Sequence, residues 1–130
     1  MSIDFAHKRI LVLGAGVTGK SVAHFLQTRG AIITLVDDNV EGATKSSDVK
    51  LDGFNADVIS PGWRQDHPLV LQILNSSIEL LNEIDIAWQL RSEKAPHQKW
   101  IALTGTNGKT TTVEMTAAIL QAAGINALLS

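Results

Sequence analysis

A glycine-rich stretch near the carboxyl end of the chain, T-G-T-N-G-K-T-T, has the residue types that hold a phosphate group. Gly105 and Gly108 stand in front of Lys109 and Thr110. Glycines allow a tight loop whose backbone N–H groups can approach an anion. The lysine ammonium and the threonine hydroxyl then suit a phosphate and a bound Mg²⁺. The loop is shorter than the general phosphate loop, whose first glycine would fall at Leu103.

The elements around this loop support the phosphate interpretation. The apolar run over 100–103 predicts a short buried strand, and a helix is predicted from Thr110 with one apolar face, Val113, Ala117 and Leu120. A strand, a glycine loop and a helix together present backbone N–H groups to an anion. Lys109 at the helix start opposes the helix dipole, and a bound phosphate would offset that cost. The alternative is an ordinary glycine turn before a surface helix, with a solvated lysine.

A second glycine motif lies near the amino end, in the stretch R-I-L-V-L-G-A-G-V-T-G-K-S. Gly14, Gly16 and Gly19 form G-x-G-x-x-G between a predicted strand at 10–13 and a helix, and Asp37 follows the next predicted strand, 18 residues after Gly19. This is the complete β-α-β nucleotide-binding fingerprint: the glycines serve the turn, the approach of a diphosphate and the helix–strand packing. The alternative is a related fold that keeps these glycines for packing alone.

The middle of the chain predicts further α/β elements. A third strand over 57–60 ends at Ser60, on the edge where open α/β sheets bind ligands. A short helix follows, with Asp66 as its N-cap and His67 as a surface residue. A fourth strand is predicted at 78–81. The next helix is predicted to carry Ile84, Ala87 and Trp88 on one face, with Trp88 in the core.

Domain boundaries follow from composition. The weakly patterned stretch 40–55 predicts a surface loop with at most a short helix, and Gly30 suits the C-terminal cap of the first helix. The polar, proline-containing segment over 94–98 predicts a linker between a first domain over 1–93 and a second over 99–130. The fold class is therefore α/β, with a Rossmann-like, mostly parallel sheet flanked by helices and followed by the first strand, phosphate loop and helix of a second domain.

Composition narrows the functional classes. The chain has 130 residues, is 45% hydrophobic and 18% charged, and carries a net charge of −2, which predicts neither nucleic-acid nor membrane binding. It has no cysteine, so a disulfide framework and thiol chemistry are excluded. No run approaches the about 20 apolar residues of a membrane span. These features agree with a cytoplasmic location.

Taken together, the motifs resemble those of the Mur ligase family. The stretches G-A-G-V-T-G-K-S, D-D, S-P-G-W, D-H-P-L-V, I-E-L-L-N-E-I-D-I-A-W and W-I-A-L-T-G-T-N-G-K-T-T-T occur in that order over nearly the whole chain. The T-G-T-N-G-K-T stretch is highly specific for Mur and folylpolyglutamate ligases, which use the shorter loop. Asn107, together with the first glycine motif, resembles most closely the members that add D-glutamate. An L-alanine-adding member is the alternative.

The resemblance implies two nucleotide sites. The first domain would bind the UDP of UDP-N-acetylmuramoyl-L-alanine rather than NAD, through Gly14, Gly16, Val17, Thr18, Gly19, Asp37, Asp38 and Ser60. The second would bind ATP through Gly105, Thr106, Asn107, Gly108, Lys109, Thr110 and Thr111. Lys109 would be the catalytic residue at the transferred phosphate, and the hydroxyl of Thr110 would contact Mg²⁺.

The implied reaction is ATP-dependent amide formation in peptidoglycan synthesis. The carboxylate of the substrate becomes an acyl phosphate, and the amine of D-glutamate then displaces phosphate. The members of this family are longer, three-domain proteins, so we expect the chain to be an N-terminal portion that is inactive by itself. We also expect that its segment 99–130 could form a dimer through exposed apolar residues. A nucleotide-binding module without catalysis and part of a nicotinamide-dependent oxidoreductase are the other hypotheses.

Overall fold

The computed structural model describes residues 4–129 and divides into two compact units. The first unit ends at Pro96 and the second begins at His97. The division falls inside the segment 94–98, whose first residue, Lys94, is the last residue of a helix. No helix within the described range 4–129 is long and apolar enough to cross a membrane.

The first unit is built on a sheet of four parallel strands. They are β1 (Arg9–Leu13), β2 (Ile32–Val36), β3 (Ala56–Ile59) and β4 (Glu79–Leu81). Their order across the sheet is β2-β1-β3-β4, and each neighbouring pair is parallel. The predicted α/β fold with a parallel sheet is therefore confirmed.

The described part of the first unit contains three α-helices: α1 (Val17–Thr28) connects β1 to β2, α2 (Pro68–Leu74) connects β3 to β4, and α3 (Glu83–Lys94) follows β4. Gly30, with φ 83°, follows the end of α1 in the left-handed conformation, which confirms the predicted cap. A capping box between Asn82 and Asp85 starts α3. The loop after β2 contains a short 3₁₀ helix (Ser46–Asp48), as its weak patterning predicts.

Apolar residues cover both faces of the sheet because successive residues of a strand point to opposite sides. Ile10 and Val12 of β1 belong to one buried cluster, with residues of α1 and α3, while Leu11 and Leu13 belong to the other, with residues of α2. The central strand β3 also carries a buried ionisable residue, Asp57, which is 0% exposed. Neither of its carboxyl oxygens has a hydrogen-bond partner among residues 4–129.

The predicted core position of Trp88 is wrong. Its side chain is 49% exposed, and the guanidinium of Arg91 lies 4.5 Å from the centre of its ring. The buried stripe of α3 instead contains Ile86, with Leu90 packed beside the same core cluster. These two residues are four apart and therefore share one helix face.

The second unit contains α4 (Lys109–Ala122). The strand predicted over 100–103 is wrong, because these residues have no regular secondary structure. A strand needs a neighbouring strand to pair its backbone groups. The described part of this unit, 97–129, contains no strand that could supply one.

Candidate functional site

A cavity of about 390 Å³ lies at the carboxyl ends of β1, β2 and β3. Its lining contains Gly14, Gly16, Asp37, Asp38, Asn39, Ser60, Gly62, Trp63, Arg64 and His67. The chain passes from β1 to β2 on one side and returns to β3 on the other side of β1. Open α/β sheets bind ligands at such a switch point, outside the carboxyl ends of the strands.

The first glycine motif forms the floor of this cavity. Gly14, with φ 109°, adopts a conformation that favours glycine, and a Cβ atom there would lie 2.9 Å from both Cβ and Oγ of Ser60. A Cβ atom on Gly16 would meet no other atom of the described residues within 4 Å. Gly16 is the N-cap of α1 and gives the helix no side-chain hydrogen bond. The motif thus leaves open space beside the start of a helix.

Of the eight residues predicted for the UDP site, five line the cavity: Gly14, Gly16, Asp37, Asp38 and Ser60. The other three, Val17, Thr18 and Gly19, form the first turn of α1 outside that lining. Val17 is 87% exposed, whereas Gly19 is buried. No acidic residue stands in this first turn, so the helix start is electrostatically suited to an anion.

Asp37 connects the end of β2 to the first glycine motif. Its Oδ2 accepts a hydrogen bond from the backbone N–H of Ala15 at 2.9 Å, and its Oδ1 accepts one from that of Asn39 at 2.8 Å. The bond from Ala15, followed by that from Asn39, lowers the pKa of Asp37 below its usual value. The carboxylate therefore stabilises the loop even without a ligand, which the sequence pattern did not predict.

Asp38 is held by the loop that follows it. Its Oδ1 accepts a hydrogen bond from the backbone N–H of Ser46 and its Oδ2 accepts one from the hydroxyl of Ser46, both at 2.7 Å. These two bonds are the largest causes of the lowered pKa of Asp38. Lys45 donates to the backbone carbonyl of Asp38 at 2.8 Å. The loop thus fixes this carboxylate at the cavity wall.

Five residues of the cavity wall were missed as site residues by the sequence analysis: Asn39, Gly62, Trp63, Arg64 and His67. Asp66 is paired with Arg64, with Oδ1 2.8 Å from Nε and Oδ2 2.5 Å from Nη2. The predicted N-cap role of Asp66 is therefore wrong. His67 is the N-cap of α2 and accepts from the backbone N–H of Leu69. The signal was the position of His67 directly before Pro68, because proline favours the first position of a helix.

The second glycine loop forms an exposed helix start in the second unit. Gly105 has φ 158°, and Gly108, the N-cap of α4, has φ 76°. Thr106 and Asn107 lie between them and are exposed, and Lys109, Thr110 and Thr111 form the first turn of α4, which contains no acidic residue. The ammonium of Lys109 donates a hydrogen bond to the carbonyl of Gly105. The lysine therefore lies across the loop that it follows.

This loop fits a phosphate better than it fits an isolated metal ion. The N-cap of α4 supplies no side-chain hydrogen bond to the helix start, so backbone N–H groups there are available to an anion. Within residues 4–129, no group of three or more His, Cys, Asp or Glu side chains could hold a metal ion. The hydroxyl of Thr110 is a single oxygen ligand, so phosphate oxygens would have to complete the coordination of Mg²⁺.

Comparison with known proteins gives two kinds of match. The model of the family described as "FAD dependent oxidoreductase" matches residues 9–128. It places the chain, at the level of fold, with the Rossmann-like nucleotide-binding domains, in agreement with the observed sheet.

Curated relatives cover the same region with one shared name, "UDP-N-acetylmuramoylalanine--D-glutamate ligase". The protein of Thermobifida fusca is 39% identical over 142 residues, which covers 97% of this chain and 30% of the relative. The chain belongs to the Mur ligase family. The relative from Bifidobacterium longum subsp. infantis is 38% identical and covers 96% of this chain and 27% of its own length. That from Corynebacterium diphtheriae is 36% identical over 92% of this chain and 28% of its own length.

The match to these Mur ligases confirms the family resemblance seen in the motifs. It covers both glycine loops, because 92–97% of this chain is included in these three alignments. The chain spans about 30% of the length of the curated relatives that it matches.

Proposed function

We propose that the first unit binds the UDP part of UDP-N-acetylmuramoyl-L-alanine. The observation that carries this proposal is the cavity at the switch point of the sheet, where the glycine motif meets Asp37, Asp38 and Ser60. The diphosphate would lie beside Gly16 and the start of α1, where space is open and no acidic side chain stands in the first turn. The two aspartates would accept hydrogen bonds from the base or the ribose.

The residues of the first turn of α1 would act through their backbone. Val17, Thr18 and Gly19 carry the N–H groups at the helix start, which have no intrahelical partner. Ser60 follows β3 and lines the cavity, and its hydroxyl oxygen lies close to Gly14, 2.9 Å from the position of a Cβ atom there. A diphosphate between these groups would receive donors from two strand ends.

The second unit would bind the phosphates of ATP. Gly105, Thr106, Asn107 and Gly108 form the loop, and Lys109, Thr110 and Thr111 open the helix that follows. To contact a phosphate, the Lys109 ammonium would exchange the carbonyl of Gly105 for the ligand. Mg²⁺ bound at Thr110 would supply positive charge against the transferred phosphoryl group.

For the whole protein we propose the reaction named in the relatives. It would join D-glutamate to UDP-N-acetylmuramoyl-L-alanine in the cytoplasm at the expense of ATP, as a step of peptidoglycan synthesis. The carboxylate of the substrate would accept the phosphoryl group, and the amine of D-glutamate would displace it. Lys109 would be the residue of this chain that stabilises the negative charge in transfer.

Calorimetric titration tests the UDP site. We expect the chain to bind UDP and UDP-N-acetylmuramoyl-L-alanine more tightly than NAD. Replacing Gly16 by valine should weaken UDP binding, since its side chain would enter space that the protein leaves open. Thermal unfolding of the same variant checks that the fold is intact. Tighter binding of NAD than of UDP contradicts the proposal.

The family-model match over residues 9–128 favours a second candidate, a site for FAD. FAD also carries a diphosphate, which suits a glycine motif at a helix start. The same titration separates the two candidates, because FAD binding is visible from flavin fluorescence. Binding of FAD that UDP does not displace would favour this second function.

A further inference from the structure

One side chain of the first cavity, that of His67, contacts three other residues. Its Nδ1 accepts a hydrogen bond from the backbone N–H of Leu69 at 3.2 Å. Its ring meets the indole of Trp63 edge-on, with 4.7 Å between the ring centres and 69° between the planes. Its Nε2 lies 3.7 Å from Oδ2 of Asp38. Since Asp38 follows β2 and Trp63 follows β3, the ring joins two strand ends to the start of α2.

The hydrogen bond at Nδ1 determines which nitrogen of His67 carries a proton. An imidazole nitrogen that accepts a hydrogen bond is unprotonated, so the ring N–H must be on Nε2. That nitrogen is the one that faces Asp38. The contact of 3.7 Å is therefore an attraction between an N–H dipole and a carboxylate, even for the neutral ring.

The acceptor sites of Asp38 show what remains for a ligand. A carboxylate has about four lone-pair sites on its two oxygens. Ser46 uses one site on each oxygen, and the ring of His67 faces Oδ2. About one acceptor site remains, on Oδ1. Because Asp38 lines the cavity, a single N–H or O–H donor of a ligand can be received there.

We propose that His67 is a positioning residue of the nucleotide pocket. Its ring, kept in place by Trp63 and by the cap of α2, holds the Asp38 carboxylate in the orientation that receives the base or ribose of the nucleotide. The role rests on the proposed binding of UDP. His67 acts through Asp38, which distinguishes it from a residue that contacts the nucleotide itself.

The first test replaces His67 by asparagine in the full chain. Asparagine is a favoured N-cap and keeps an acceptor for the backbone N–H of Leu69, but it removes the ring from Asp38 and Trp63. We expect UDP affinity to fall about tenfold, with an unfolding temperature close to that of the unaltered chain. His24→Asn is the matched control, because His24 is an exposed residue of α1 outside the cavity lining.

A double-mutant cycle with Asp38→Asn tests the route of the effect. If His67 acts through Asp38, then His67→Asn should lower UDP affinity by less than about twofold once Asp38 has been replaced. If His67→Asn lowers UDP affinity about tenfold also in the Asp38→Asn background, His67 acts independently of Asp38, which overturns the proposal. The unfolding temperatures test a purely structural role. Such a role predicts that His67→Asn lowers the unfolding temperature whether or not Asp38 has been replaced, and that result would overturn the proposal.

A measurement on the unaltered chain guards against a variant that does not fold. Nitrogen-15 NMR of the histidine rings should show His67 with its proton on Nε2, and UDP should shift its signals while those of His24 stay in place. A proton on Nδ1, or no response to UDP, overturns the role. If the unaltered chain does not bind UDP, the proposed function fails; if it does, and His67→Asn binds equally well, the positioning role alone fails.

Discussion

Gly19 lies against Gly14 so closely that a Cβ atom on Gly19 would be 1.8 Å from the carbonyl oxygen of Gly14. Gly19 is the last glycine of the motif and lies inside α1, whereas Gly14 follows β1. The backbone of the helix therefore packs directly against the backbone at the end of the strand. The glycines of the motif therefore have different structural roles. Gly19 permits packing, whereas the space beside Gly16 is open to a ligand.

Alanine at Gly19 should destabilise the protein far more than alanine at Gly16. The added carbon at Gly19 meets backbone atoms that can move only with β1 or α1, so we expect a loss of about 3 kcal/mol or more in the free energy of unfolding. At Gly16 we expect about 1 kcal/mol or less, the usual effect at an N-cap. Urea unfolding of both variants measures the difference. Equal losses of the free energy of unfolding in the two variants would contradict these separate roles of Gly19 and Gly16.

Replacing Asp37 by alanine should loosen the first glycine motif. The N–H of Ala15 loses a charged acceptor, and such bonds contribute about 1.5–3 kcal/mol. We expect a lower free energy of unfolding and faster hydrogen exchange of the Ala15 amide. Asp48→Ala is the control, because Asp48 is exposed and its carboxylate accepts only from the neighbouring Ser47 among the hydrogen bonds described. Unchanged exchange at Ala15 would show that the carboxylate does not hold the loop.

Stability should depend on pH through Asp57. Burial raises the pKa of this carboxyl to about 7 in the folded protein, from an ordinary value of 3.8. Between these values the folded state retains a proton that the unfolded state has released, so the free energy of unfolding falls as pH rises. The difference of about 3 units corresponds to about 4 kcal/mol, lost between about pH 4 and pH 7.

Asp57→Asn is the variant that isolates this effect. Asparagine has nearly the same shape and does not ionise, so the fall in stability between pH 5 and pH 7 should become smaller than in the unaltered chain. Asp37 and Asp38, whose pKa values are lowered, contribute stability above pH 4 that is lost only as pH falls further, so they leave this window undisturbed. An identical slope in both proteins would rule out Asp57 as its source.

The chain alone should release phosphate from ATP no faster than its Lys109→Ala variant. Lys109 and the hydroxyl of Thr110 are suited to bind phosphate and Mg²⁺, but the described residues offer no carboxylate cluster for the metal. A phosphate-release assay over hours, with Lys109→Arg as a charge-preserving control, measures this. Turnover that disappears with Lys109→Ala would prove the prediction wrong.

The second unit should promote association between chains. Ile101, Met115, Ile119 and Leu128 are each more than 60% exposed, and exposed apolar surface tends to become covered. Light scattering should therefore detect a dimer whose fraction grows with concentration. Ile119→Lys should weaken it, whereas Ala118→Lys, an exposed neighbour on α4, adds the same charge as a control. A monomer at all concentrations would contradict this prediction.

The order and type of most elements could be predicted from the sequence because short apolar strands alternate with helices in the first unit. The strand over 10–13 and the cap at Gly30 follow from local rules of hydrophobic runs and glycine conformation. The strand predicted over 100–103 failed because an apolar run shows only that burial is favourable. Whether a strand forms depends on a partner strand, which local sequence does not reveal.

The candidate site was predictable only where a residue type at a given motif position has one common function. Glycines in G-x-G-x-x-G and an acid after the second strand indicated Asp37, but its two internal hydrogen bonds depend on the path of the backbone. His67 was missed because its contact with Asp38 comes from a distant segment and its contact with Trp63 depends on how the loop before α2 folds. Trp88 was assigned to the core because hydrophobic residues three and four apart suggest a buried face, whereas the buried face of α3 is the one with Ile86.

The residues that line the first cavity lie almost entirely in turns, while the strands and helices between them carry the apolar clusters. Selection for ligand preference therefore acts mainly on loop positions, and selection for folding acts mainly on the strands and helices. A change at an exposed loop position such as Asn39 or Arg64 can alter what is recognised without altering the packed clusters, whereas Trp63 both lines the cavity and packs against the second cluster. Such a division lets one scaffold acquire new ligands through short exchanges of sequence, which loop grafting between relatives could reproduce in the laboratory.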